Sequence, residues 1–262
     1  MSSPRESTAR TLVVALLVCL VCSVFVAGAA VALRPTQVEN RLLDKQRSIL
    51  AIAGLADASL SAAQVKQMFA ERIQARVVDL DTGTFSDAQD PITYDPLAAS
   101  KDPALSKALV GSEDIASIKR RERYSTVYMV EHEGQLDTLI IPVRGYGLWS
   151  TLYGFIAVKG DLNTVAGFGF YQHGETPGLG GEIDNPNWRQ LWLDKKLFDS
   201  NQDVAIRVIK GNVDQNSATA ENQIDGLAGA TLTSNGVTHL VQFWLGEHGF
   251  GRFIEHLRAG EA

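Results

Sequence analysis

The sequence predicts an α+β protein: a single N-terminal transmembrane helix, then a domain in which helices flank an antiparallel or mixed sheet. Three observations predict it. Thr11 to Leu33 is an apolar run without a charged residue, long enough to cross a bilayer as a helix. The middle of the chain carries runs rich in Val, Ile, Tyr and Phe, separated by turn residues, as consecutive strands do. Helical spacing returns on either side of them, and separate helix and strand runs signal α+β rather than alternating α/β.

Residues 1–10 read as a short polar tail. In the span that follows, Ala27-Gly28-Ala29-Ala30 offers small residues for cleavage, so a secretory signal peptide competes with a retained anchor. Val31, Ala32 and Leu33 continue the run and favour the anchor. Arg5 and Arg10 precede the span, but Arg34, Arg41, Lys45 and Arg47 follow it closely, so charge leaves the topology open. Gln37 to about Leu55 reads as a helix with apolar points at Leu42, Leu43, Ile49 and Leu50. A second helix is expected from Ser61, with Ala62, Ala63, Val65, Met68 and Phe69 at helical spacing.

Arg76 to Gly83 reads as a strand ending in a turn, and the Asp/Pro/Ser-rich stretch 86–103 as a loop. Tyr124–Val130 and Leu136–Val143 make a hairpin around Glu133-Gly134. Strands are expected at Thr151–Val158, Val165–Tyr171 and Val204–Lys210, with a short helix at Trp188–Leu193.

Composition excludes several function classes. A net charge of −6 argues against nucleic acid, which selects for basic stripes. Both cysteines, Cys19 and Cys22, lie inside the apolar span, so the remainder cannot build a disulfide, a zinc–thiolate site or a cysteine-ligated cluster by itself. There is no Gly-x-Gly-x-x-Gly fingerprint, no nucleotide-hydrolase phosphate loop and no His-Glu-x-x-His. The histidines (His132, His173, His239, His248 and His256) are scattered, and only His173 stands beside a candidate site loop.

The most informative stretch is Asp225-Gly-Leu-Ala-Gly-Ala-Thr-Leu-Thr-Ser234. Val237, Leu240, Val241, Trp244 and Leu245 follow it, one apolar face of a helix. With Thr233 or Ser234 as N-cap, Thr231 stands just ahead of a helix N-terminus, where unpaired N–H groups and the helix dipole favour a phosphate. A Gly/Ala-rich turn capping an ordinary helix is the plainer reading. Two further loops draw notice. Gly145-Tyr-Gly-Leu-Trp149 sets aromatic faces between glycines, although composition alone favours Trp149 as a plug of the core at a strand end. Glu175-Thr-Pro-Gly-Leu-Gly180 joins a Pro-Gly turn to polar and apolar side chains, and its second glycine permits close backbone approach.

These motifs carry a resemblance. Asp225 to Thr231 resembles the flavinylation motif of covalent FMN-binding domains, although Ala228 stands where that family has Ser or Thr. Glu175 to Gly180 and Gly147-Leu-Trp-Ser150 are similar to further segments of the same domains. The anchor, Gln37-Val-Glu-Asn40 and Leu43-Asp-Lys-Gln46 look like the C subunits of the sodium-translocating NADH:quinone reductases. The resemblance implies one FMN per chain, joined through its phosphate to Thr231, with Glu175, Thr176, Leu179, Leu148, Trp149, Gly229 and Ala230 around it. Asp225 would belong to the pattern read by the transferase. It implies a cytoplasmic tail at 1–10, a transmembrane helix at 11–33 and a periplasmic domain at 34–262, with the FMN-binding part at about 140–255, in a bacterial inner membrane. The implied partners are the other subunits of the complex, a flavin transferase and the lipid bilayer.

Such a chain would relay electrons from NADH oxidised on another subunit toward quinone. It would need no catalytic acid, base or nucleophile and no metal. No acidic residue interrupts the span, so sodium transport would belong to the assembled complex. No Arg/Lys phosphate clamp stands beside Thr231 in sequence. The alternatives are the related FMN subunit of the Rnf electron-transport complex and a non-redox anchored ectodomain.

Overall fold

A computed structural model describes residues 8–56 and 59–262, so the first seven residues of the expected polar tail lie outside it. The chain divides into two units, Met1–Asp44 and Lys45–Ala262. Helix α1 (Thr8–Ile52) runs through both and is long and apolar enough to cross a membrane. The span and the helix expected after it are one element. Pro35 removes a single backbone hydrogen bond, and the helix-forming stretches on either side carry on past it.

In the second unit, α2 (Ala62–Arg72) starts where expected. Gln64 N–H donates to Ser61 Oγ at 3.4 Å and Ser61 N–H donates to Gln64 Oε1 at 3.0 Å, a reciprocal cap. Strand β1 (Gln74–Asp79) and the two-residue β2 (Thr84–Phe85) follow. Asp95 caps the short α3 (Pro96–Ala99), so the expected loop at 86–103 contains one helical turn. Strands β3 (Ser106–Ala108) and β4 (Arg120–Glu122) pair with each other. The main hairpin is β5 (Tyr124–His132) and β6 (Gln135–Tyr146). Glu133 and Gly134 have φ of 53° and 78°, the left-handed pair that a two-residue hairpin requires.

Strands β7 (Thr151–Lys159) and β8 (Val165–Gln172) complete a six-stranded sheet in the order β2-β1-β5-β6-β7-β8, antiparallel at every junction. Helix α4 (Pro186–Gln190) begins two residues before its expected start, because Asn185 caps it and Pro186 suits the first helical position. The strand expected at Val204–Lys210 shrinks to β9 (Arg207–Val208), parallel to β10 (Gln223–Ile224). Helices α5 (Thr231–Leu245) and α6 (Gly251–Ala259) close the chain.

Strand side chains alternate between faces, so the sheet buries two cores. On one face, Leu139, Ile141, Ile156 and Phe168 pack with Val237, Leu240, Trp244 and Phe253 of the last two helices. On the other, Tyr128, Ile140 and Phe155 are buried, as are Ile49, Leu50 and Val65 of the helices there. Trp244 fastens α5 to β6: its Nε1 donates to Arg144 O at 2.7 Å, and the Arg144 guanidinium lies 5.1 Å from its ring centre. Arg144 is itself paired with buried Glu122 at 2.7 Å. This fixes which end of α5 meets which end of the sheet.

Candidate functional site

The motif at 225–231 is a turn feeding a helix, and neighbouring loops hold it in place. Val213 N–H donates to Asp225 Oδ1 at 2.8 Å, Gly226 N–H to Gly211 O at 2.8 Å, and Trp188 Nε1 to Asp225 O at 2.9 Å. A Cβ on Gly226 would stand 2.2 Å from Ile209 O, so only glycine permits this approach. Gly229 has φ of 72°, and Ala230 precedes the first helical residue, Thr231.

The helix therefore starts three to four residues earlier than a Thr233 or Ser234 cap would have it. Both hydroxyls are engaged elsewhere. Thr233 Oγ1 donates to Glu175 Oε2 at 2.7 Å, and Ser234 Oγ accepts from Leu227 N–H at 3.2 Å. Thr233 is 0% exposed and Ser234 is buried, whereas Thr231 is exposed. The N-cap residue, Ala230, makes no side-chain cap bond, which leaves the first N–H groups of α5 suited to an anion.

Glu175 is the centre of the second loop. It is 5% exposed, and its Oε1 accepts from Leu148 N–H (3.1 Å), Trp149 N–H (3.0 Å) and Ser150 N–H (3.3 Å). Burial pushes its pKa up. The bonds from Trp149, Thr233, Ser150 and Leu148 outweigh that effect, and the net direction is down from the ordinary value. His173 supports the same loop: its Nδ1 accepts from Glu175 N–H at 3.2 Å while its Nε2 lies 2.7 Å from Asp184 Oδ2.

Thr176, Leu179, Leu148 and Trp149 are exposed, as is Gly229, while Ala230 is buried. Trp149 at 65% exposure does not plug the core. Leu179 reaches the motif, since a Cβ on Gly229 would touch its Cδ2 at 3.2 Å. Thus the loops at 147–150, 175–180 and 225–231 converge at the start of α5. Two contributors escaped the sequence reading: Thr233 as partner of Glu175, and Lys210, which lines a small notch together with Thr231, Ser234 and Asn235. Lys210 comes to this notch from another part of the chain. The notch holds only about 40 Å³, too little for a ring system. A wider cleft of about 370 Å³ opens along Ser150, Tyr153, Gln172 and His173. Among the described residues no group of His, Cys, Asp and Glu could hold a metal ion.

Residues 147–246, which include all three loops and α5, match the FMN-binding domain family. The chain is 71% identical to the C subunit of the Na(+)-translocating NADH-quinone reductase of Pseudomonas aeruginosa, over 98% of this chain and 99% of that one. It is 47% identical to the C subunit of the same reductase from Vibrio alginolyticus, over 100% and 99% of the two chains. The crystal structure of Shewanella oneidensis NqrC superposes with a TM-score of 0.76 at 33% identity, covering 86% of this chain and 99% of that one. The three converging loops and the full-length likeness together show that the chain belongs to the family of Na(+)-translocating NADH-quinone reductase C subunits, with an FMN-binding domain at 147–246.

Proposed function

We propose that the chain is an electron-carrying subunit anchored in the inner membrane by α1, with FMN joined to Thr231 through a phosphoester. The observation that carries the reading is the hydroxyl geometry of the first turn of α5. Of Thr231, Thr233 and Ser234, only Thr231 is exposed, and the other two hydroxyls are spent on Glu175 and Leu227.

The surroundings fit the group. The uncapped N-terminus of α5 favours a phosphate, and Lys210 stands by the same notch. Leu148, Trp149 and Leu179 offer apolar surface for a flat ring, with Thr176 for a polar contact and the backbone of Gly229 and Ala230 underneath. Because the notch at Thr231 cannot enclose a ring, the cofactor would extend beyond it over the neighbouring loops. A covalent link then prevents loss of a group that buries little area. FMN supplies electron transfer, and the protein's part is to hold it and keep one edge reachable. Residues 34–262 would lie in the periplasm, with the other subunits of the reductase as electron partners and a flavin transferase as the maturation partner.

The test is intact mass of the detergent-purified chain, co-produced with a flavin transferase, beside Thr231→Ala. The expected result is a gain of FMN minus water in the wild type only, retained after denaturation. A gain that survives Thr231→Ala moves the link to another residue, and no gain in the wild type overturns the reading.

A further inference from the structure

We infer that Glu175 is a positioning residue rather than a flavin contact: its carboxylate latches the loop Gly147–Ser150 onto the first turn of α5 and so sets how Leu148 and Trp149 are presented beside Thr231. The consequence for FMN rests on the proposed attachment at Thr231, but the latch itself does not.

A carboxylate offers about four lone-pair sites. Here three consecutive backbone N–H groups and one hydroxyl converge on it. Successive N–H groups aimed at one point make a nest for an anion, and Glu175 is the anion that fills it. Its cradle is closed on two further sides. A Cβ on Gly147 would stand 2.7 Å from Oε1, and one on Gly180 would stand 2.7 Å from Oε2 and 2.5 Å from Thr233 Oγ1. Buried and fully engaged, the carboxylate has no side left for a cofactor. The residues it holds show the opposite arrangement: the backbone of Leu148 and Trp149 is pinned, yet their side chains point to solvent. Large apolar side chains normally pack inward. A fixed backbone carrying outward apolar side chains at the mouth of a ligand site is a presenting loop, and Glu175 with Thr233 sets its register against α5.

The experiment uses the full chain in detergent as wild type, Glu175→Gln, Thr233→Val and Thr233→Ser. Amide hydrogen exchange at 148–150 is measured without the transferase. Mass and FMN emission anisotropy are measured after co-production with it. Glutamine keeps the shape but has one acceptor oxygen, so exchange at 148–150 should accelerate about tenfold or more, as expected on losing charge-assisted bonds. Thr233→Val should act in the same direction and Thr233→Ser should restore protection. FMN should remain attached in all four, with lower anisotropy in Glu175→Gln and Thr233→Val. Unchanged exchange in unmodified Glu175→Gln, with the flavin signal altered only after loading, would make Glu175 a direct contact and overturn the latch. If Glu175→Gln fails to fold, the Thr233→Val and Thr233→Ser pair decides by the same exchange readout. If the wild type carries no FMN, the attachment reading falls while the exchange data still judge the latch.

Discussion

Two threonines two positions apart on the chain have opposite fates, and the difference is one of solvent and partner. Thr233 is closed in against Glu175, and Thr231 is open to solvent. The same bond has a pH signature. The folded-state pKa of Glu175 lies below its ordinary 4.5, so its contribution to stability is fully present above the unfolded value and is lost as pH falls through the folded one. Asp161 behaves alike, so acid sensitivity of the wild type alone does not isolate Glu175. Burial opposes the shift at Asp161, but bonds from Thr164 and Asn163, with Lys196 nearby, bring its pKa down to about 2. The difference between wild type and Glu175→Gln does isolate it. Urea titrations should find the variant less stable at pH 7, with the gap narrowing as pH falls below the ordinary value of 4.5.

Helix α5 carries the proposed attachment residue, Thr231, and its seat on the end of β6 needs a glycine. A Cβ on Gly236 would stand 2.5 Å from Tyr146 O and 3.0 Å from Gly147 Cα, both backbone atoms that cannot swing aside. In an exposed helix, glycine to alanine stabilises by about 1 kcal/mol. Here the sign should reverse: Gly236→Ala is expected to cost about 1–3 kcal/mol through overpacking. Thermal unfolding would register this as a lowered midpoint, and a raised midpoint would contradict the close approach. The same substitution should loosen Tyr146 and Gly147, the root of the presenting loop, and so link helix packing to the site.

Across the whole molecule, α1 does two jobs along one helix. Helix residues up to Asp44 fall in the first unit, whereas Ile49, Leu50 and Ile52 are buried in the second, and Gly167 lies so close to Ile52 O that a Cβ there would stand 2.1 Å away. A chain beginning at Arg34 should therefore be soluble without detergent and keep the wild-type unfolding midpoint of the domain. One beginning at Ser61 loses three buried aliphatic side chains, each worth roughly 1.5–3 kcal/mol. Urea unfolding of the two truncations should separate them by several kcal/mol. Equal stability would mean that Ile49, Leu50 and Ile52 do not belong to the domain core.

What the sequence determined by itself is local in origin. The uncharged run, the strands from Tyr124 to Tyr171, the hairpin turn at Glu133-Gly134, the helix start at Ser61 and the three site motifs all follow from periodicity, turn chemistry or motif resemblance within short windows. Helix α6 and the pairing of β9 with β10 were not legible there, being short elements held by distant partners. The start of α5 was misplaced for a related reason. A hydroxyl that looks like an N-cap in sequence instead donates to a carboxylate 58 residues away, and only tertiary structure brings Glu175 to Thr233. Lys210 reached the notch at Thr231 in the same way. Sequence names the groups able to bind a phosphate or present an aromatic ring. Which of them are buried against one another and which remain open to solvent is decided by packing, because burial depends on neighbours that no local pattern specifies.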